Sequence, residues 1–185
     1  MLAKRLFDLF FSVLLIIVWS PILMISYFVA SLDTQSNGIF TQQRVGQYGK
    51  LFTIYKLKTI HPKTEKISPV GKFFRKSKID ELPQLFNVLI GDMSFVGFRP
   101  DIPGYYDQLQ GENRKILELK PGITSEASIK YAEEETLLEQ QSNPLQYNDT
   151  VIFPDKVKMN LDYYYNRNLI TDINIIIRTV VSFVK

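Results

Sequence analysis

Two adjacent carboxylates, Asp80 and Glu81, sit in the stretch SKIDELPQLF (residues 77–86), directly ahead of a proline and an apolar run. Acids side by side can charge the first turn of a helix, where the positive end of the macrodipole favours them. They can also offer a nucleophile and a hard-cation ligand to a phosphate, because carboxylates form covalent intermediates and Mg2+ prefers oxygen donors. Leu82, Leu85, Phe86 and Leu89 recur at helical spacing after the pair, with Gly91 placed to stop the helix. The pattern predicts a helix capped by Asp80 or Ser77, with Pro83 in its first turn, where a missing N–H costs nothing. Unpaired amides at such an end attract anions, and Arg75 and Lys76 just upstream add positive charge. Taken alone, the window is explained more simply by an acidic cap with solvated basic neighbours.

Composition narrows the chemistry. The chain has no cysteine, and His61 is its only histidine. Disulfides, thiolate metal sites, a histidine-based triad and a multi-histidine zinc site are therefore excluded within one chain, leaving carboxylates, Lys, Arg, Tyr or Ser for catalysis. A length of 185 residues suits one domain with its own core. A formal net charge of +3 does not argue for nucleic acid and fits phosphate-bearing ligands or an anionic membrane face equally well.

The elements that must position the acids begin in an apolar segment. Residues 9–32, LFFSVLLIIVWSPILMISYFVASL, carry no charge. At about 1.5 Å per residue they could cross a hydrocarbon core of about 30 Å, and the run is longer than the apolar part of a signal peptide. Ser20-Pro21 lies near its middle. Proline removes a backbone donor and kinks a helix, and the Ser20 hydroxyl can relieve part of that cost in lipid. A kinked spanning helix and a helix that returns to its own side both fit. Lys4 and Arg5 precede the run, and Arg44, Lys50, Lys56 and Lys58 follow it, so positive charge flanks both ends and sets no orientation.

IFTQQRV and LFTIYKL alternate roughly as strands around the glycines of residues 46–49, which predicts a hairpin with Lys56 and Lys58 on one face of its second strand. That face is either solvated or a phosphate contact. KPGIT (residues 120–124) reads as a proline–glycine turn, and residues 131–141 as a polar, acid-rich helix with a solvated glutamate face. Near the C-terminus Tyr163, Tyr164 and Tyr165 beside Arg167 suit either a helix at headgroup level or packing on the core. No internal repeat is visible.

In order along the chain, KRLFDLFFS and WSP, Arg44-Val45-Gly46, IYKLKT, VGKFFRKSKIDELPQLFNVLIGDMSFVGFRP and KPGIT carry a resemblance over nearly its whole length. The sequence resembles the small monotopic phosphoglycosyl transferases, also called bacterial sugar transferases. The resemblance implies transfer of a sugar 1-phosphate from a UDP-sugar to a polyprenol phosphate such as undecaprenyl phosphate, with release of UMP, at the start of membrane glycan assembly. It implies Mg2+ as cofactor, held by Asp80 and Glu81, and a covalent phosphosugar intermediate on Asp80. Arg75 and Arg99 match motif positions that could clamp phosphoryl oxygens, and Lys58 and Arg167 are further substrate-binding candidates. The expected fold is α+β and mainly helical: a re-entrant membrane helix over residues 1–32 broken at Ser20-Pro21, then one catalytic domain over residues 33–185 with a small β-hairpin and amphipathic interfacial helices. The expected place is the cytoplasmic face of a bacterial inner membrane, with membrane lipid and downstream glycosyltransferases as partners and no nucleic acid. The additional transmembrane helices of larger relatives are not expected here. Two departures stand out: Phe98 where the family commonly has proline before Arg99, and Ser125-Glu126-Ala127-Ser128 after KPGIT in place of the usual small and polar residues. A catalytically silent, membrane-anchored subunit that organises other glycan enzymes is the alternative, and the intact dyad, Arg75 and Arg99 argue against it.

Overall fold

The apolar run of the sequence forms α1, Leu2–Thr34, in a computed structural model that describes residues 2–184. The helical backbone continues through Pro21. Proline at this position leaves the carbonyl of Ile17 without its usual donor four residues on, and the Ser20 hydroxyl donates to that carbonyl at 2.8 Å. Among the described residues α1 is the one helix long and apolar enough to cross a membrane. Its buried positions are Asp8 and Ser12 near one end and Ser26, Ala30 and Thr34 near the other, while Ile17, Val18, Met24, Ile25 and Phe28 between and beside them are exposed.

The chain packs as two units, Met1–Arg44 with Leu51–Met93, and Val45–Lys50 with Ser94–Lys185. The division at residue 32 expected from the sequence follows polarity, the apolar run against the rest, and does not coincide with these packing units. In the first unit, β1 (Ile39–Val45) and β2 (Leu51–Leu57) form the expected two-stranded sheet. The helix α2, Pro69–Lys76, starts at Ser68, whose hydroxyl accepts the Gly71 N–H at 2.9 Å and donates to Asp33 of α1 at 2.7 Å. Pro69 at its first position supplies the preset φ. Ala30, Leu57 and Phe74 make a small core, with Tyr27, Val29, Ile39 and Ile79 packed against it. Gly71 is required there, since a Cβ would stand 2.6 Å from the Thr59 carbonyl. A 3-10 turn, Ile79–Glu81, leads to α3, Gln84–Ile90, which ends as predicted at Gly91 with φ 97°. The Arg5 guanidinium forks onto the last carbonyls of α3, Val88 at 2.7 Å and Leu89 at 2.8 Å, complementing the negative end of that helix.

In the second unit β3, Ser94–Val96, pairs in parallel with β4, Gly122–Thr124, matching Ser94 to Gly122 and Val96 to Thr124. KPGIT is thus more than the predicted turn. Its glycine lets a strand approach Gly97, where a Cβ on Gly122 would meet the Gly97 nitrogen at 2.1 Å. Helices α4 (Glu126–Lys130), α5 (Glu134–Glu139), α6 (Pro144–Tyr147), α7 (Phe153–Asn166) and α8 (Leu169–Val184) follow. Both sequence departures find local reasons. Phe98 is fully buried with its ring 4.8 Å from that of Tyr106, and Ser125 caps α4 by accepting the Ser128 N–H at 2.9 Å. The acid-rich stretch is helical over Glu134–Glu139 only, and Glu134 pairs with Lys156 at 2.6 Å instead of standing solvated. Of the two readings the sequence left open for the C-terminal helices, packing on the core is the one that burial bears out. Val157, Asn160, Tyr163, Asp172 and Ile175 are buried, and α8 exposes Ile170, Ile173, Ile177, Val180 and Val181.

Candidate functional site

Asp80 stands in the 3-10 turn, entered through Lys78 in the left-handed region at φ 56°. A non-glycine residue there stores local strain, of order 1 kcal/mol. The cap expected of Asp80 or Ser77 is not what forms. The backbone is already right-handed helical at Leu82 and Pro83, α3 carries no side-chain cap, and the Ser77 hydroxyl turns back to the Phe73 carbonyl at 2.7 Å. Asp80 is therefore free of capping duty and is buried, 8% exposed, with Oδ1 lacking any hydrogen-bond partner among the described residues. Burial, and then the charge of Glu81, push its carboxyl up to about 6, against the opposing charges of Lys56, Lys78 and Arg75.

Two of these three cations are engaged by other groups. Lys56 Nζ pairs with Glu81 Oε1 at 2.9 Å, both side chains largely buried. Arg75 donates from Nε to Thr59 Oγ1 at 3.0 Å, and Thr59 is itself buried. What brings Lys56 to the dyad is Asn87, wholly buried, whose Oδ1 accepts the Tyr55 N–H at 3.1 Å and whose Nδ2 donates to the Thr53 carbonyl at 2.7 Å. This side chain pins α3 to β2 as a substitute strand partner. Sequence reasoning put Lys56 and Lys58 on one face. Lys56 reaches Glu81, whereas Lys58 Nζ donates to Ser36 Oγ at 3.1 Å, beyond the end of α1. Arg75 is thus the one expected binding residue gathered at the dyad within the first unit. Arg99 and Arg167 belong to the second unit. Arg99 is exposed after β3, and Arg167 lies over the Tyr164 ring at 4.2 Å and donates to the Tyr164 carbonyl.

The donor set suits a hard cation that brings its own ligands. Among the described residues no group of three or more His, Cys, Asp or Glu side chains gathers. Mg2+ is commonly held by one or two carboxylates, with water and substrate phosphate completing six oxygens. The pair Asp80 and Glu81, with the unpartnered Asp80 Oδ1, fits that arrangement and no fuller cage.

A buried carboxylate with one unpartnered oxygen marks a candidate site without naming a reaction. The family described as "Bacterial sugar transferase" matches residues 1–185. The chain belongs to this family. Among similar proteins, an uncharacterized sugar transferase EpsL of Bacillus subtilis is 39% identical over 139 residues, covering 70% of this chain and 69% of that protein. A UDP-glucose:undecaprenyl-phosphate glucose-1-phosphate transferase of Caulobacter vibrioides is 30% identical over 98% of this chain and 69% of its own length. A UDP-N-acetylgalactosamine-undecaprenyl-phosphate N-acetylgalactosaminephosphotransferase of Aeromonas hydrophila is 31% identical over 96% of this chain and 42% of its own. As a bacterial sugar transferase, the chain is a transferase.

Proposed function

We propose that this bacterial sugar transferase moves a sugar 1-phosphate from a UDP-sugar to undecaprenyl phosphate, starting assembly of a membrane glycan. Its relatives' names supply the substrate classes. The observation that carries the residue assignment is Asp80: a carboxylate held in a buried turn with one oxygen unpartnered and its neighbouring cations Lys56 and Arg75 tied to Glu81 and Thr59. In this reading Asp80 attacks the phosphorus that bears the sugar. The new Asp–O–P bond forms as the bond to the bridging diphosphate oxygen breaks, and UMP leaves with that oxygen. An oxygen of undecaprenyl phosphate then attacks the same phosphorus, makes the lipid diphosphate and returns Asp80 as a carboxylate. Arg75, oriented through Nε by Thr59, has its remaining donors for phosphoryl oxygens. Asp80 and Glu81 would hold Mg2+, which neutralises charge on the diphosphate when bound. Lys56 holds Glu81 in place through their ion pair. Arg99, Lys58 and Arg167 are assigned substrate binding by family resemblance alone.

The topology in this reading is re-entrant. A straight α1 would set Arg5 and Ala30 about 38 Å apart. Their partners lie much closer together. Arg5 binds Val88, beside Asn87, and Asn87 bonds Tyr55, about 7 Å along the strand from Leu57, against which Ala30 packs. Both flanks of α1 thus rest on one unit while its middle is exposed, which supports a bend at Pro21 and a helix that enters and leaves the same leaflet. Nucleotide sugars are cytoplasmic, so the site belongs on the cytoplasmic face of the inner membrane. The exposed apolar face of α8 suits the interface. The test is UMP release from a panel of UDP-sugars with undecaprenyl phosphate and Mg2+. Release with one sugar nucleotide, dependent on the lipid phosphate, is expected. No release across the panel would leave the silent-subunit reading in its place.

A further inference from the structure

Charge is unevenly spread along this chain. Residues 60–78 hold six cations, Lys63, Lys66, Lys72, Arg75, Lys76 and Lys78, against one acid, Glu65. That stretch is +5 while the whole chain is +3, so everything else together is slightly acidic. The same stretch exposes Ile60, Val70 and Phe73, the last 61% exposed. Its helix α2 turns Gly71 and Phe74 inward, and Phe74 packs on Ala30 of α1 beside Tyr27 and Val29. Next to these on α1, Ile25, Phe28 and Leu32 are exposed. A basic helix with an outward aromatic therefore lies against the end of the apolar segment that enters lipid. Water alone gives no reason for Phe73 to face out among lysines, whereas an aromatic in the acyl boundary with lysines on headgroups is the arrangement of an interfacial helix. The cations acting most on Asp80 are Lys56, Lys78 and Arg75, which leaves Lys63, Lys66, Lys72 and Lys76 for another anion.

We propose that residues 60–78 dock on an anionic lipid leaflet, with Phe73 and Val70 entering the acyl boundary and the four lysines lying on headgroup phosphates. The proposal rests on the membrane reading of α1 and not on the chemistry assigned to Asp80. Docking next to the catalytic turn would seat the acidic dyad at the height where a polyprenol phosphate presents its own phosphate. Each lysine near an anionic surface strengthens such docking about fivefold.

The chain has no cysteine, so single labels are clean. Full-length Val70→Cys carrying an environment-sensitive fluorophore is reconstituted in vesicles of phosphatidylcholine alone or with about one third phosphatidylglycerol, and quenched by brominated lipid. A Val18→Cys label on the exposed middle of α1 reports membrane entry separately. The expected result is quenching at Val18 in both lipids and at Val70 chiefly with phosphatidylglycerol. Combining Lys63→Gln, Lys66→Gln and Lys72→Gln should weaken the Val70 signal about a hundredfold in lipid titration, and high salt should act in the same direction. UMP release in detergent micelles should be unchanged by the triple substitution. Equal quenching at Val70 in the two lipids, or none, overturns the proposal, as does a triple variant that docks normally. A triple variant that loses UMP release in micelles assigns the lysines to the nucleotide and overturns it too. An unquenched Val18 label removes the membrane premise itself.

Discussion

Asp80 and Asp155 are the same side chain in two regions of the molecule, and the structure treats them in opposite ways. Asp155 on α7 accepts from Lys130 Nζ at 2.7 Å and from Tyr131 Oη at 2.8 Å, and these two bonds hold its carboxyl below the usual range. Asp80 is more buried, has an unpartnered oxygen and is pushed up to about 6. Cations are not lacking around Asp80. Two of the three are bound to other groups, Lys56 to Glu81 and Arg75 to Thr59. The difference teaches where each region spends its electrostatics. At Asp155 opposite charges are joined and the fold gains. At Asp80 the joining is withheld, and in the proposed reading a divalent cation would complete it.

The largest effect that would break this comparison is on turnover. Asp80→Asn keeps shape while removing the proposed nucleophile, so UMP release should fall by more than about a hundredfold. Asp155→Asn should leave UMP release within about threefold of wild type, because a satisfied carboxylate outside the reacting group has nothing to contribute to that step. Equal losses in the two variants would erase the distinction.

Next in size is stability, where the two aspartates should move in opposite directions. With a folded value of about 6 against 3.8, native Asp80 holds its proton more tightly than the unfolded chain does. The fold then loses stability as pH rises from about 4 through 6, and the cost is fully present above that window. That difference corresponds to about 3 kcal/mol at most. Metal-free Asp80→Asn should accordingly melt above wild type at pH 7, with the gap closing as pH falls to 4. The comparison of melting temperatures in detergent with a chelator checks the sign. Asp155→Asn should melt slightly below wild type at pH 7, by about 1 kcal/mol or less, since its bonds are partly exposed.

Lys56→Met sharpens the account of why the dyad is held as it is. Removing the cation takes away the Lys56–Glu81 ion pair, in which both side chains are largely buried, which should lower stability by about 1–3 kcal/mol and alter the Mg2+ dependence of UMP release. Unchanged melting and an unchanged Mg2+ titration would show the pair to be incidental. The smallest effect is expected at Thr59. Thr59→Val should raise the KM for nucleotide sugar several-fold by loosening Arg75, and Thr59→Ser should restore it, since only the hydroxyl is used. Equal KM values in all three proteins would remove Thr59 from the positioning of Arg75.

How much of this was legible in the sequence follows from how far apart the partners lie. Asp80, Glu81 and Arg75 fall within seven residues, and the motif that carries the family resemblance pointed to them where spacing alone favoured a plain acidic cap. The apolar run and the Ser20 remedy at Pro21 are local too, because the hydroxyl reaches a carbonyl three residues back. The roles of Lys56 and Thr59 were not legible. They depend on Asn87 docking α3 to β2 across more than thirty residues, and on Gly71 admitting α2 against the Thr59 carbonyl. Period-two spacing grouped Lys56 with Lys58, yet β2 ends at Leu57, and the two side chains go to different partners. The expected cap failed for a related reason: helical backbone already begins in the turn at Ile79–Glu81, so α3 needs no side-chain cap. Phe98 read as a departure in a loop, and only its distant partner Tyr106 shows it to be core.

The most direct test of the central claim, that the carboxylate left unpartnered is the one that reacts, is the mass of the protein quenched in acid after mixing with its UDP-sugar and Mg2+ in the absence of undecaprenyl phosphate. The account predicts an added sugar phosphate that maps to the peptide containing Asp80, disappears when undecaprenyl phosphate is supplied, and is missing from Asp80→Asn but present in Asp155→Asn. UMP release without any adduct at Asp80, or an adduct that persists in Asp80→Asn, would contradict it.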